Sequence, residues 1–69
     1  MSDFKDVSMF EGIIEFAANG NKYRFEDDGG GQYKGFILHD NAWIYEGTIT
    51  PNSNSCTALY TELTNTTED

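Results

Sequence analysis

Asn19 and Gly20 stand between two runs of alternating residues, "FEGIIEFAA" before them and "NKYRFED" after. A type I′ turn needs positive φ at both central residues, and Asn-Gly supplies this more readily than almost any other pair. The flanking pattern has period two, as in a half-buried strand. Phe10, Ile14 and Phe16 alternate with Glu11 and Glu15, and Tyr23 and Phe25 alternate with Lys22, Arg24 and Glu26. A two-residue turn then dictates the pairing: Ala18 faces Asn21, Phe16 faces Tyr23, Glu15 faces Arg24 and Ile14 faces Phe25. Apolar pairs share one face and an ion pair lies on the other, the arrangement that cross-strand pairing favours. A slip of one residue would set charges against aromatics, so the register is specified. Past Glu26 the next pairing sets Glu11 against Asp28, like against like, and the ladder is expected to stop there.

A second hairpin is expected in "YKGFILHDNAWIYEGTI". A turn at Asp40-Asn41 places Leu38 opposite Trp43, Ile37 opposite Ile44 and Phe36 opposite Tyr45. Both of its faces are apolar, which predicts central strands or a curved sheet covered on both sides. "TPNSNS" breaks the pattern with proline and turn formers. "CTALYTEL" then reads as a fifth strand, with Leu59 and Leu63 on one face and Ala58 and Tyr60 on the other. Helical periodicity is weak, and only "SDFKDV" could make a turn of helix. The expected organisation is one all-β domain over 1–69: an N-terminal arm (1–8), a first hairpin (9–26), an acidic and glycine-rich hinge (27–31), a second hairpin (32–50), a fifth strand (56–63) and a frayed tail (64–69). Five short antiparallel strands with glycine bends predict a curled meander or a small barrel of the SH3-like or OB-like kind.

An internal echo runs through the chain: "FEGII" at 10, "YKGFI" at 33 and "YEGTI" at 45. The spacing of the first two, 23 residues, resembles that of MORN-type hairpin repeats. The other glycines of that motif are missing and the third copy follows after 12 residues, so no function is carried across. Physically, Gly12, Gly35 and Gly47 are expected inside strands, where glycine marks a bulge, a bend or a close backbone approach.

Sixty-nine residues suffice for one domain with a thin core, because a chain of this size buries only about 60% of the surface its unfolded form exposes. Cys56 is the single cysteine. That argues against a disulfide-built miniprotein and fits a reducing compartment. "MSDFKDVSMF" has neither a basic region nor an apolar run, so no signal peptide is expected, and the chain reads as cytoplasmic. Twelve Asp and Glu against four Lys and Arg give a net charge of −8. Phosphate backbones and anionic membranes repel such a chain, whereas a basic protein surface attracts it. High net charge also serves solubility alone.

The oddest run is "EDDGGGQYKG", residues 26 to 35. Counting from Asp27, the third position of a calcium loop is Gly29 and the twelfth is Leu38, so the EF-hand pattern fails. A phosphate cradle needs Lys-Ser or Lys-Thr after the glycines and a helix beyond them, and neither is present. The run reads as a connector. His39 reads as a solvated turn residue and Cys56 as a packing residue, and no metal or cofactor is expected. Tyr23, Phe25, Phe36, Trp43 and Tyr45 could form a stacking platform for single-stranded nucleic acid, but a chain this acidic makes no basic groove, and they are expected in the core.

The expected function is non-enzymatic: a protein-interaction module, most specifically an inhibitor that presents carboxylates to a basic, nucleic-acid-binding protein surface. Glu26, Asp27, Asp28, Asp40 and Glu46 are the expected partner-binding residues. In size and charge the chain is similar to small acidic phage and mobile-element proteins such as anti-CRISPRs and nuclease inhibitors. The alternative is an assembly subunit that self-associates through a sheet edge or an apolar face.

Overall fold

A computed structural model describes residues 4–67. Five antiparallel strands follow one another in space as in sequence: β1 (Lys5–Phe10), β2 (Ile13–Ala18), β3 (Asn21–Gly29), β4 (Gln32–His39) and β5 (Ala42–Ile49). One helix, α1 (Cys56–Thr67), completes the chain. The sheet is an open, curled meander rather than a barrel, since β1 and β5 are its two edges.

All four connections are two-residue turns with positive φ at both positions: Glu11-Gly12 (51° and 79°), Asn19-Gly20 (53° and 80°), Gly30-Gly31 (62° and 81°) and Asp40-Asn41 (51° and 65°). This is the type I′ signature, whose twist matches that of the flanking strands. The register expected around Asn19-Gly20 is observed throughout, from Ala18 opposite Asn21 to Ile14 opposite Phe25. The pairs expected around Asp40-Asn41 are also observed.

Three expectations fall. The arm and helical turn at the N-terminus are replaced by strand β1 from Lys5, with residues 1–3 outside the described part. Gly12 therefore lies in a turn and not inside a strand. The hinge at 27–31 is paired structure: Asp27 faces Tyr33, Gly29 faces Gln32, and only Gly30 and Gly31 turn the chain. The fifth strand expected at 56–63 and the start of the tail expected at 64–69 form α1 instead, with residues 68–69 outside the described part. Cys56, Leu59, Tyr60 and Leu63 recur at i, i+3, i+4 and i+7, the spacing of one helix face. Ser55 caps the helix, its Oγ accepting the Ala58 N–H at 3.2 Å.

Ile14, Phe16, Ala18, Tyr23, Phe25, Ile49, Leu59 and Leu63 make the core. Register explains how α1 fits. One row across the sheet runs Met9, Ile14, Phe25, Gly35, Gly47. Its side chains shrink to nothing at the two glycines, and at Gly35 Leu63 comes down on the sheet. Phe4 meets Phe16 edge-on at 5.0 Å, and Tyr60 packs edge-on against Tyr23 at 5.3 Å. The Asn19 side-chain amide donates to the Tyr60 hydroxyl, joining α1 to a hairpin turn.

Candidate functional site

The face away from α1 is uncovered; of the two arrangements expected for the second hairpin, β4 is a central strand, but the sheet is not covered on both sides. A row on it crosses all five strands: Ser8, Glu15, Arg24, Phe36, Tyr45. Arg24 donates to Glu15 and, from Nε, to Glu26 Oε2 at 2.9 Å. The hydrogen bond from Arg24 to Glu26 holds the guanidinium above its already high ordinary pKa. The same group lies over the Trp43 ring, 5.8 Å from its centroid, at cation–π range. Phe36 and Tyr45 are 5.6 Å apart, and Tyr45 shares a hydrogen bond with Thr48 at 2.7 Å. Of the five aromatics expected in the core, Tyr23 and Phe25 are there. Phe36, Trp43 and Tyr45 are on the open face instead, because odd and even positions of a strand point oppositely.

The expected partner-binding acids do not converge. In a meander, alternate turns share an end of the sheet, so Glu11-Gly12 and Gly30-Gly31 lie at one end and Asn19-Gly20 and Asp40-Asn41 at the other. Asp27 and Asp28 belong to the first end and Asp40 to the second. The length of β4 separates them, roughly 25 Å at about 3.3 Å per residue. Glu26 is held on the open face by Arg24. Glu46 is the extra residue of a bulge, since Gly35 pairs with Gly47 and Phe36 with Tyr45. Asp28 lies 3.9 Å from Lys34, and Asp40 lies 3.5 Å from His39.

What does gather at the first end is a mixed site. The Asp27 N–H donates to the Gly12 carbonyl at 2.8 Å, and Asp27 Oδ1 accepts the Gly29 N–H at 2.8 Å. These bonds bring Glu11 and Asp27 to the rim of a cleft of about 300 Å³, whose walls include Met9, Ile14 and Tyr33. Glu11 was not among the expected residues. Its signal was the "EG" dipeptide, which reads as a turn as readily as a strand.

Among the described residues no three His, Cys, Asp or Glu side chains are grouped as metal ligands. Cys56 is half-buried, and burial pushes its thiol pKa up, away from the reactive thiolate. His39 is exposed beside its turn. No helix among the described residues is long and apolar enough to cross a membrane.

Fold and surface together define a small, mostly β domain, a five-stranded meander with a single helix packed on one face. No known protein family, curated protein or solved structure matches the chain.

Proposed function

We propose that this chain is a non-catalytic protein-interaction module that docks on a basic protein surface. The finer form of the reading is an inhibitor that occupies a nucleic-acid-binding groove, in the manner of small acidic phage and mobile-element proteins. The carrying observation is a surplus of surface carboxylates. No charged side chain is buried among the described residues. Arg24 and Lys34 are engaged by Glu15, Glu26 and Asp28, and the net charge is still −8. Such a surface accelerates encounter with a positively charged partner. The raised thiol pKa of Cys56 and the exposed position of His39 beside Asp40 favour a role without catalysis.

The test is capture of partners from the native cell, followed by kinetics with the purified partner. The reading expects a nucleic-acid-binding protein, released by rising salt and displaced by duplex DNA or RNA. A partner without basic surface, or a complex indifferent to salt, overturns it. A second reading, self-assembly, is favoured by the uncovered face carrying Phe36, Trp43 and Tyr45. Sedimentation across a concentration series tests it, and a monomer at all concentrations rejects it.

A further inference from the structure

An open meander has two free edges, and each carries one irregularity, the bulge at Glu46 on β5 and a shift near the start of β1. What sets β1 apart is the cleft beside it. On β1 the irregularity lies between Lys5 and Ser8, with Asp6 at φ 55°, while Ser8, Met9 and Phe10 pair regularly with Glu15, Ile14 and Ile13. Alternate N–H and C=O groups of that regular stretch face away from β2, a ready template for another strand. All six residues of β1 are exposed. Val7, Met9 and Phe10, at 49%, 55% and 70% exposure, are three of the five large apolar side chains exposed among the described residues. The cleft opens directly beside this strand, with Met9 and Phe10 in its lining.

Charge selects the occupant. On β1 Asp6 is offset by Lys5, but Glu11 follows the strand and Asp27 faces the cleft across Gly12. A second copy would bring another −8 to the same edge. A basic strand brings the complement. The cleft suits a long cationic side chain, whose aliphatic stem lies on Met9, Ile14 and Tyr33 while its head reaches the carboxylates.

We propose that β1 is a strand-addition site: an extended partner segment alternating basic with apolar residues pairs with its free edge and places a Lys or Arg side chain in the cleft between Glu11 and Asp27. Main-chain pairing supplies affinity and alternate side chains supply specificity. This deepens the reading that the chain binds a basic protein surface, and rests on it.

The probe is a short peptide alternating Lys and Val, compared with the same peptide N-methylated at alternate backbone amides and with a Glu-Val version. Binding is followed by NMR titration and amide exchange on the full chain. The Lys-Val peptide should bind and protect the outward-facing amide of Met9, since the Ser8 and Phe10 amides already face β2. N-methylation, which leaves charge intact and removes pairing, should weaken it by about tenfold or more, and the Glu-Val peptide should not bind. Glu11→Gln with Asp27→Asn should weaken the Lys-Val peptide by about tenfold while leaving the spectrum of the fold intact, because the side-chain amide oxygen introduced by Asp27→Asn still accepts the Gly29 N–H. No binding, equal binding of the methylated peptide, or perturbation confined to Phe36, Trp43 and Tyr45 overturns the proposal. Concentration-dependent protection of β1 without peptide also overturns it, in favour of a second copy. If a captured basic partner binds in a salt-dependent way yet leaves β1 unprotected, strand addition fails and the broader reading stands.

Discussion

Leu63 of α1 rests on the backbone of Gly35 in β4: a Cβ built on Gly35 would lie 2.8 Å from Leu63 Cδ1 and 3.3 Å from Phe25 Cε2. Gly35 needs no unusual φ, so its requirement is space alone. Leu63 and Phe25 are fully buried and have little room to yield. Gly35→Ala is expected to destabilise the fold by about 1–3 kcal/mol, the usual cost of overpacking. In urea unfolding, a Gly35→Ala, Leu63→Ala double variant should lose less than the sum of its single variants, since both act on one contact.

Gly20 presents the opposite case. A Cβ there meets nothing within 4 Å, but φ is +80°. Gly20→Val should cost about 1–2 kcal/mol through left-handed strain, with β branching at the upper end. Thermal melting checks this, and an unchanged midpoint would mean that the turn does not hold the hairpin.

Glu11 occupies the same kind of turn with φ 51° and a side chain poorly suited to it. Asn tolerates that conformation and is preferred at this turn position. Glu11→Asn is expected to stabilise the domain by about 0.5–1 kcal/mol while weakening attraction for cationic peptides. Strain kept at a rim residue is the pattern expected where function outweighs stability. Paired melting and titration measurements would reveal the trade, and a variant that gained neither stability nor a binding defect would contradict it.

The Tyr23 phenol is held above its ordinary pKa of 10.0, first by burial and then by neighbours including Tyr60 and Glu46. A raised folded-state pKa favours the neutral form in the fold. Its contribution is complete below the unfolded pKa near 10 and is lost as pH climbs from there through the folded value. Stability should therefore fall above about pH 10, and Tyr23→Phe should flatten that part of the curve. Chemical denaturation at stepped alkaline pH tests the difference in slope.

Placement of the acids sharpens the kinetic expectation. Charge reversal at Asp27 and Asp28 should slow association with a basic partner far more than it speeds dissociation. Reversal at Asp40, roughly 25 Å away along β4, should change the rate little, because the screening length is about 10 Å at 0.1 M salt. Stopped-flow association at several salt concentrations separates the two. Equal effects from both ends would mean that net charge alone attracts the partner.

The hairpins around Asn19-Gly20 and Asp40-Asn41 were legible residue by residue, because turn chemistry and period-two alternation are local and fix register together. The open-face aromatics were legible as paired residues, but not as an uncovered surface: neighbours across a ladder do not reveal which face another element will cover. Strand β1 left no side-chain signature, since an edge strand exposed on both faces is held by backbone bonds that any sequence can make. The segment from Cys56 to Leu63 was ambiguous for a different reason. A short run with Leu59 and Leu63 fits either period, and what selects the helix is the gap that Gly35 leaves in the sheet for Leu63 to fill. Local chain chemistry thus wrote the turns and the registers. Only the assembled molecule, where distant segments compete for the same apolar face, decided the helix, the open edge and the cleft beside it.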